Sequence, residues 1–94
     1  MIYLSILARP AATSFLRRGP GCSLRMRTWV TAADAAGLHV AVHAIGDSAI
    51  RDLLDIYLDA AETNGPRDRR FRMEHAQHIH PDDLHRFAAQ DVIA

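Results

Sequence analysis

The sequence lacks lysine, contains a single cysteine and has no acidic residue before Asp34. One cysteine excludes an internal disulfide, which fits a reducing compartment and leads us to expect a cytoplasmic protein. The apolar stretch at residues 1–8 is too short to span a bilayer. The formal net charge of zero gives no general reason to expect binding to nucleic acid or to a membrane surface.

The charges are distributed unevenly along the chain. All eleven basic residues are arginine, and five of them precede Asp34, whereas all eleven acidic residues lie from Asp34 onward. Residues 1–30 have the Arg-rich, acid-free composition of a transit peptide. A poorly structured or mis-started leader is the alternative, which we favour. We therefore expect residues 1–27 to be a poorly ordered leader and residues 28–94 to carry the fold.

After residue 27 the hydrophobic pattern becomes regular. It predicts helices at 27–36, at 47–63 and from Pro81, and strands at 38–43 and 71–75, with a third strand starting at residue 91. Gly37 stands where a glycine would end the first helix. This alternation of helices and strands predicts an α/β fold with parallel strands.

Two histidines stand at the carboxyl ends of the predicted strands. His43 ends the first strand and His75 ends the second. Because parallel α/β folds bind ligands outside the carboxyl ends of their strands, both imidazoles are expected at the functional edge. Two neutral imidazoles from neighbouring strands suit a divalent metal. A hydrogen-bonded core histidine is the alternative at each position, and the residues alone leave both interpretations open.

The sequences around these histidines resemble one enzyme family. The stretch V-H-A-I-G-D at Val42–Asp47 is followed about 30 residues later by R-M-E-H-A-Q at Arg72–Gln77. Together they resemble the strand-five and strand-six regions of the amidohydrolase 3 family. These metal-dependent hydrolases of the amidohydrolase superfamily include enzymes similar to N-substituted formamide deformylase. The resemblance covers roughly residues 28–94.

The resemblance implies a fold, a cofactor and a reaction. It implies a partial (β/α)8 TIM barrel of about two and a half βα units, with His43 and His75 as metal ligands. The cofactor would be a divalent metal, commonly zinc, which activates water to hydrolyse an amide or other non-peptide C–N bond of a small molecule.

The sequence supports a site role less strongly for the other polar residues near the two histidines. Asp47 and Glu74 flank the ligands, and each is a candidate to orient an imidazole from outside the ligand shell. For Asp47 we favour helix capping, and for Glu74 a structural role, because strand alternation points it away from the barrel interior. The pair His78 and His80 mimics the family's His-x-His ligand motif but runs into a helix start. His39 is expected to pack within the strand, and His85 to be solvated on a helix.

Several parts of the family's site have no counterpart in this sequence. The strand-one His-x-His and the catalytic Asp after strand eight are missing, and a complete barrel has roughly 250 residues. We therefore expect a fragment that is inactive alone and has no catalytic residue of its own. The alternative is a stand-alone α/β interaction module with structural histidines that needs a partner chain. Uncovered sheet edges would also permit self-association.

Overall fold

A computed structural model of the protein describes residues 2–5 and 20–94. The strands are β1 (Ile2–Ser5), β2 (Val40–Ala44) and β3 (Arg72–His75). The helices are α1 (Pro20–Ala35), α2 (Asp47–Asn64) and α3 (Leu84–Ala89), and a 3₁₀ turn at Pro81–Asp83 precedes α3. Within these described ranges, no helix has the length and apolar character needed to cross a membrane.

The strands form one parallel sheet whose spatial order follows the chain, β1-β2-β3. In the register between the second pair, Val42 lies beside Met73 and His43 beside Glu74. An isolated parallel bridge joins Arg72 to Ile93, so the predicted third strand is only a single bridge. The prediction of an α/β fold with parallel strands is confirmed.

Helix α1 is longer than the sequence pattern predicts. It begins at Pro20 rather than at Arg27, so the predicted start is wrong. A proline is tolerated in the first turn of a helix because the N–H that it lacks would have no partner there. At the other end Gly37 has a φ of 81°, the left-handed conformation in which glycine is favoured and which was expected of a glycine ending this helix.

The predicted leader overlaps two of these elements. Strand β1 and the first turns of α1 both fall within residues 1–27. Residues 1 and 6–19 lie outside the described part of the chain. The division into a leader and a partial barrel therefore stays a prediction.

The hydrophobic core lies on one face of the sheet, between the strands and helices α1 and α2. One cluster of buried side chains contains residues of both helices together with β2 and β3: Met26, Val30, Ala33, Val40, Val42, Ala44, Ile50, Leu53, Leu54, Tyr57 and Met73. Most of the large apolar side chains of α2 belong to this cluster, whereas Leu58 of the same helix is 39% exposed.

A buried ion cluster joins α1 to the loop between α2 and β3. Asp34 is fully buried, and its carboxylate accepts hydrogen bonds from Nε of Arg69 at 3.0 Å and from Nδ2 of Asn64 at 2.9 Å. Nη1 of Arg67 lies 3.2 Å from the same carboxylate and also donates to the Asp34 backbone carbonyl. The carboxylate of Asp34 thus attaches the loop between α2 and β3 to helix α1.

Tyr57 connects α2 to β3. Its ring stacks on Phe71 with centroids 4.2 Å apart, and its hydroxyl donates a hydrogen bond of 2.5 Å to the carbonyl of Arg72. Burial raises the pKa of Tyr57 far above its ordinary value of 10.0, and the charge of Glu74 raises it further. The hydroxyl therefore keeps its proton in the folded state at pH values where an unfolded tyrosine loses it.

This difference predicts an alkaline loss of stability. Above about pH 10 the unfolded state binds fewer protons than the folded state, so the free energy of unfolding falls by up to ~1.4 kcal/mol per pH unit. Tyr57→Phe is expected to cost about 1 kcal/mol at neutral pH and to flatten the alkaline slope. Urea unfolding between pH 8 and 11 measures both effects. The chain has no lysine to add a slope of its own, so an equal slope in both proteins would contradict the role of Tyr57.

Candidate metal centre

His43 and His75 come together at the carboxyl edge of the sheet. His43 is the fourth residue of β2, and His75 is the last residue of β3, where it lies in register beside Ala44. The centroids of the two imidazole rings are 5.0 Å apart, and the ring planes are tilted by 36°. His43 is half-buried and His75 is exposed. The structure therefore places both predicted ligands at one location, open to solvent on one side.

An unusual backbone conformation brings His75 to this location. Residues in register on neighbouring strands normally face the same side of a sheet. Ala44 faces the core and the helices, so a regular strand would turn the side chain of His75 toward the helices as well. His75 instead has a φ of 73°, and Ala76 follows with a φ of 44°. These left-handed residues interrupt the alternation, and the imidazole of His75 lies beside that of His43.

The same break changes the position expected for Glu74. Glu74 lies in register beside His43, and Met73, which precedes it, faces the core. Glu74 therefore lies on the face of the sheet that carries His43, and the expectation that alternation turns it away is wrong. Its Oε1 lies 2.8 Å from Nη2 of Arg72. This ion pair is the contact that the structure shows for Glu74, and both its structural role and a role in orienting an imidazole stay predictions.

Asp47 is the first residue of α2, directly after Gly46, the residue at the helix N-cap. Its Oδ1 accepts a hydrogen bond of 2.7 Å from the backbone N–H of Ser48. The carboxylate thus lies at the positive end of the helix, where a negative charge is stabilising. Asp47 acts within the first turn rather than at the N-cap position itself, and its role in orienting a ligand also stays a prediction.

The remaining histidines do not join the pair in a group that could hold a metal ion within the described residues. Nδ1 of His80 accepts a hydrogen bond of 3.1 Å from the N–H of Asp82 and so caps the 3₁₀ turn. His78 and His85 are exposed, as expected for the helical His85. His39 precedes β2 and is exposed, so the expectation that it packs inside the strand is wrong.

Two backbone hydrogen bonds fasten the connection after β3 to the connection after β2. The N–H of Ala76 donates to the carbonyl of Ala44, and the N–H of His78 donates to the carbonyl of Ile45, both at 3.0 Å. These bonds hold the two chain segments that leave the paired histidines side by side.

Asp83, Arg51 and Arg86 form an ion network that the sequence alone does not predict. Asp83, in the 3₁₀ turn, is 3% exposed, and its Oδ2 accepts a hydrogen bond of 2.7 Å from Nε of Arg51 in α2. Burial acts to raise the pKa of Asp83, but Arg51 and Arg86 outweigh it and hold that pKa below its ordinary value. Asp83 is therefore ionised at neutral pH. In the sequence, Asp83 is recognisable only as an acidic residue in the first turn after Pro81. Such a residue indicates the start of a helix and no ion network.

Within the described residues, no group of three or more His, Cys, Asp or Glu side chains is arranged to hold a metal ion. The candidate centre consists of two imidazole donors, whereas catalytic zinc sites normally have three protein ligands. The donor chemistry suits a divalent cation, and the described part of the chain supplies only part of a ligand set.

The geometry is that of α/β proteins that bind ligands at one edge of a parallel sheet. A parallel α/β sheet with polar side chains at its carboxyl edge is the arrangement in which α/β enzymes bind ligands. The sequence matches the amidohydrolase family over residues 7–94. The chain therefore belongs to the amidohydrolase family. This match begins at residue 7, whereas the resemblance seen in the two motifs begins at about residue 28.

One relative is a plant protein. The chain is 49% identical over 70 residues to Protein LONG AFTER FAR-RED 3 of Arabidopsis thaliana. The aligned part is 74% of this chain and 12% of that protein, so the chain spans a small part of that relative's length. No solved structure matches the chain.

Proposed function

We propose that this chain carries part of the metal centre of a hydrolase that cleaves an amide or other non-peptide C–N bond in a small molecule. The observation that carries the proposal is the pairing of His43 and His75 at the carboxyl edge of the sheet, with ring centroids 5.0 Å apart. Membership of the amidohydrolase family supports the reaction class. The resemblance to N-substituted formamide deformylase is in keeping with this class of bond.

The spacing of the two imidazoles is compatible with a divalent cation that they share, and zinc is the example that we propose. Zinc binds imidazole nitrogens at about 2.0–2.1 Å in tetrahedral geometry, and a ring centroid lies roughly 1.1 Å beyond its nitrogen. Two imidazoles on one zinc therefore have centroids about 5 Å apart. When bound, such a cation polarises a carbonyl oxygen and lowers the pKa of water.

Four residues of the chain have a part in this proposal. His43 and His75 bind the cation through neutral imidazoles. Asp47 fixes the start of α2 directly after the loop that follows His43, and Glu74 lies beside His43 in register. These two carboxylates stay candidates to orient the ligands, with helix capping favoured for Asp47 and a structural role for Glu74.

The sheet topology supports a partial (β/α)8 barrel. Strands β1, β2 and β3 neighbour one another in chain order, and Ile93 pairs on the next position outward. A barrel is built from parallel strands in this way, with its active site at their carboxyl ends. In such a barrel His43 and His75 would face the site formed by all eight βα loops.

A substrate panel tests the reaction class. We expect the 94-residue chain, loaded with zinc, to show no hydrolysis of N-formyl and N-acyl amides, because the described residues supply two ligands where catalytic zinc sites normally have three. Zinc-dependent hydrolysis that is lost in His43→Ala would support the reaction class but contradict the inactivity of the chain alone. Hydrolysis that chelators and both histidine variants leave unchanged would overturn the proposed function.

A further inference from the structure

The network around Asp83 joins the segment after β3 to helix α2. Besides the hydrogen bond from Arg51, Oδ1 of Asp83 lies 3.4 Å from Nη1 of Arg86. Nη2 of Arg86 in turn lies 2.7 Å from Oδ1 of Asp55 in α2. Four charged side chains thus connect the 3₁₀ turn and α3 to successive turns of α2.

Helix capping does not account for the burial of Asp83. The residue stands at the N-cap position of α3, yet its side chain makes no capping hydrogen bond. Stability alone does not account for it either, because a well-packed apolar side chain usually serves a buried position at least as well as an ion pair. The carboxylate of Asp83 is buried and the side chain of Arg51 is half-exposed. An ion pair of this kind gives the two segments that it joins a defined relative position.

The segment that this pair fixes contains the strained end of β3. His75 and Ala76 both have positive φ values, and non-glycine residues adopt that conformation only where surrounding structure restrains them. Pairing with β2 restrains the strand before them. After them, the chain is restrained by the hydrogen bonds of Ala76 and His78 to the β2 connection and by the contact between Asp83 and Arg51.

Arg51 is suited to this task by its place in the chain. It lies one helical turn after Asp47, at the start of α2, and α2 follows directly from the loop after His43. A contact between Arg51 and Asp83 therefore joins the segment that carries one imidazole to the segment that carries the other. Its loss would release one end of the connection between His75 and the 3₁₀ turn.

We propose that Asp83 is a positioning residue of the metal centre, whose pairing with Arg51 holds the imidazole of His75 beside that of His43. This inference rests on the proposed function of the two histidines as a ligand pair. It assigns to Asp83 and Arg51 no contact with substrate or metal.

Zinc affinity of the 94-residue chain, measured by competition with a chromogenic chelator, is the first test. We expect Asp83→Asn to weaken zinc binding by roughly 10–100-fold, the usual effect of losing a residue that supports a ligand. Arg51→Gln, which changes a half-exposed side chain, should weaken binding to a similar degree. The double variant should bind no more weakly than Asp83→Asn, because that single variant already loses the charge pairing between Asp83 and Arg51.

Ile56→Val is the matched stability control. It removes one buried methylene from α2, where Ile56 is 1% exposed, and leaves every ion pair in place. We expect its zinc affinity to stay within twofold of the unmodified chain at a temperature where all variants are folded. An equal loss of affinity in Ile56→Val, or an unchanged affinity in both Asp83→Asn and Arg51→Gln, would overturn the inference.

A metal-free measurement separates this inference from the proposed function. The nuclear Overhauser effect between ring protons of His43 and His75 reports their distance directly. We expect it in the unmodified chain and in Ile56→Val, and expect it to fall at least twofold in Asp83→Asn and Arg51→Gln. If all four proteins keep it, Asp83 does not position His75. If the unmodified chain shows the effect but binds no zinc, the metal assignment fails and the positioning role in the fold stands.

Discussion

Replacing His43 or His75 by alanine is expected to lower zinc affinity by more than the roughly 10–100-fold that the loss of a supporting residue costs. The reason is that each variant removes one of the two imidazoles that the structure brings together at the carboxyl edge of the sheet. A single imidazole then remains, and one neutral ligand competes poorly with water for the cation. Competition with a chromogenic chelator measures the affinity of each variant.

His85→Ala is the matched control for this prediction. His85 is an exposed histidine on α3, so its loss removes an imidazole of the same chemistry without changing the pair. We expect its zinc affinity to equal that of the unmodified chain. If His85→Ala lowers affinity as much as His43→Ala does, zinc binds to surface histidines in general and the assignment of the pair is wrong.

Asp34→Ala is expected to lower the free energy of unfolding by about 1–3 kcal/mol, because it removes a fully buried carboxylate and leaves its partly buried arginine and asparagine partners without their acceptor. Arg69 is the most affected, since its side chain is 11% exposed and both Asp34 oxygens accept from its Nε. A loss of this size is a large fraction of the total stability of a small domain. Urea unfolding followed by circular dichroism measures it.

The exposed pair of Asp68 and Arg70 provides the comparison within the same loop. Asp68 has a side chain that is 74% exposed and lies 3.2 Å from Nε of Arg70. Exposed pairs contribute little, so Asp68→Ala should change stability by no more than about 0.5 kcal/mol. Equal effects of Asp34→Ala and Asp68→Ala would show that the buried cluster does not anchor the loop.

The regular elements were predictable because their signals are local. The apolar run that ends in His43 and the helical stripe of α2 each lie within one short stretch of sequence, and the structure contains both elements. The start of α1 was not predictable in this way. Gly19 to Gly21 favours a turn, whereas the buried positions of Met26 and Val30 show that packing against α2 stabilises the helix.

The site was predictable in its ligands but not in its geometry. Strand ends and family motifs locate His43 and His75, but nothing in the sequence indicates the positive φ of His75, which depends on contacts across the loop. The pairs of Asp34 with Arg69 and of Asp83 with Arg51 join residues 35 and 32 positions apart. Such long-range pairing leaves no periodic pattern, so both aspartates resemble ordinary helix residues when the sequence is considered alone.

The central claim is that His43 and His75 together bind one zinc ion. X-ray absorption spectroscopy of the zinc-loaded 94-residue chain tests it most directly, because imidazole rings give a characteristic multiple-scattering pattern around the metal. We predict two imidazole nitrogens at about 2.0–2.1 Å in the unmodified chain and the loss of that pattern in the His43→Ala, His75→Ala double variant. A spectrum without imidazole scattering, or one that the double variant leaves unchanged, would contradict the claim.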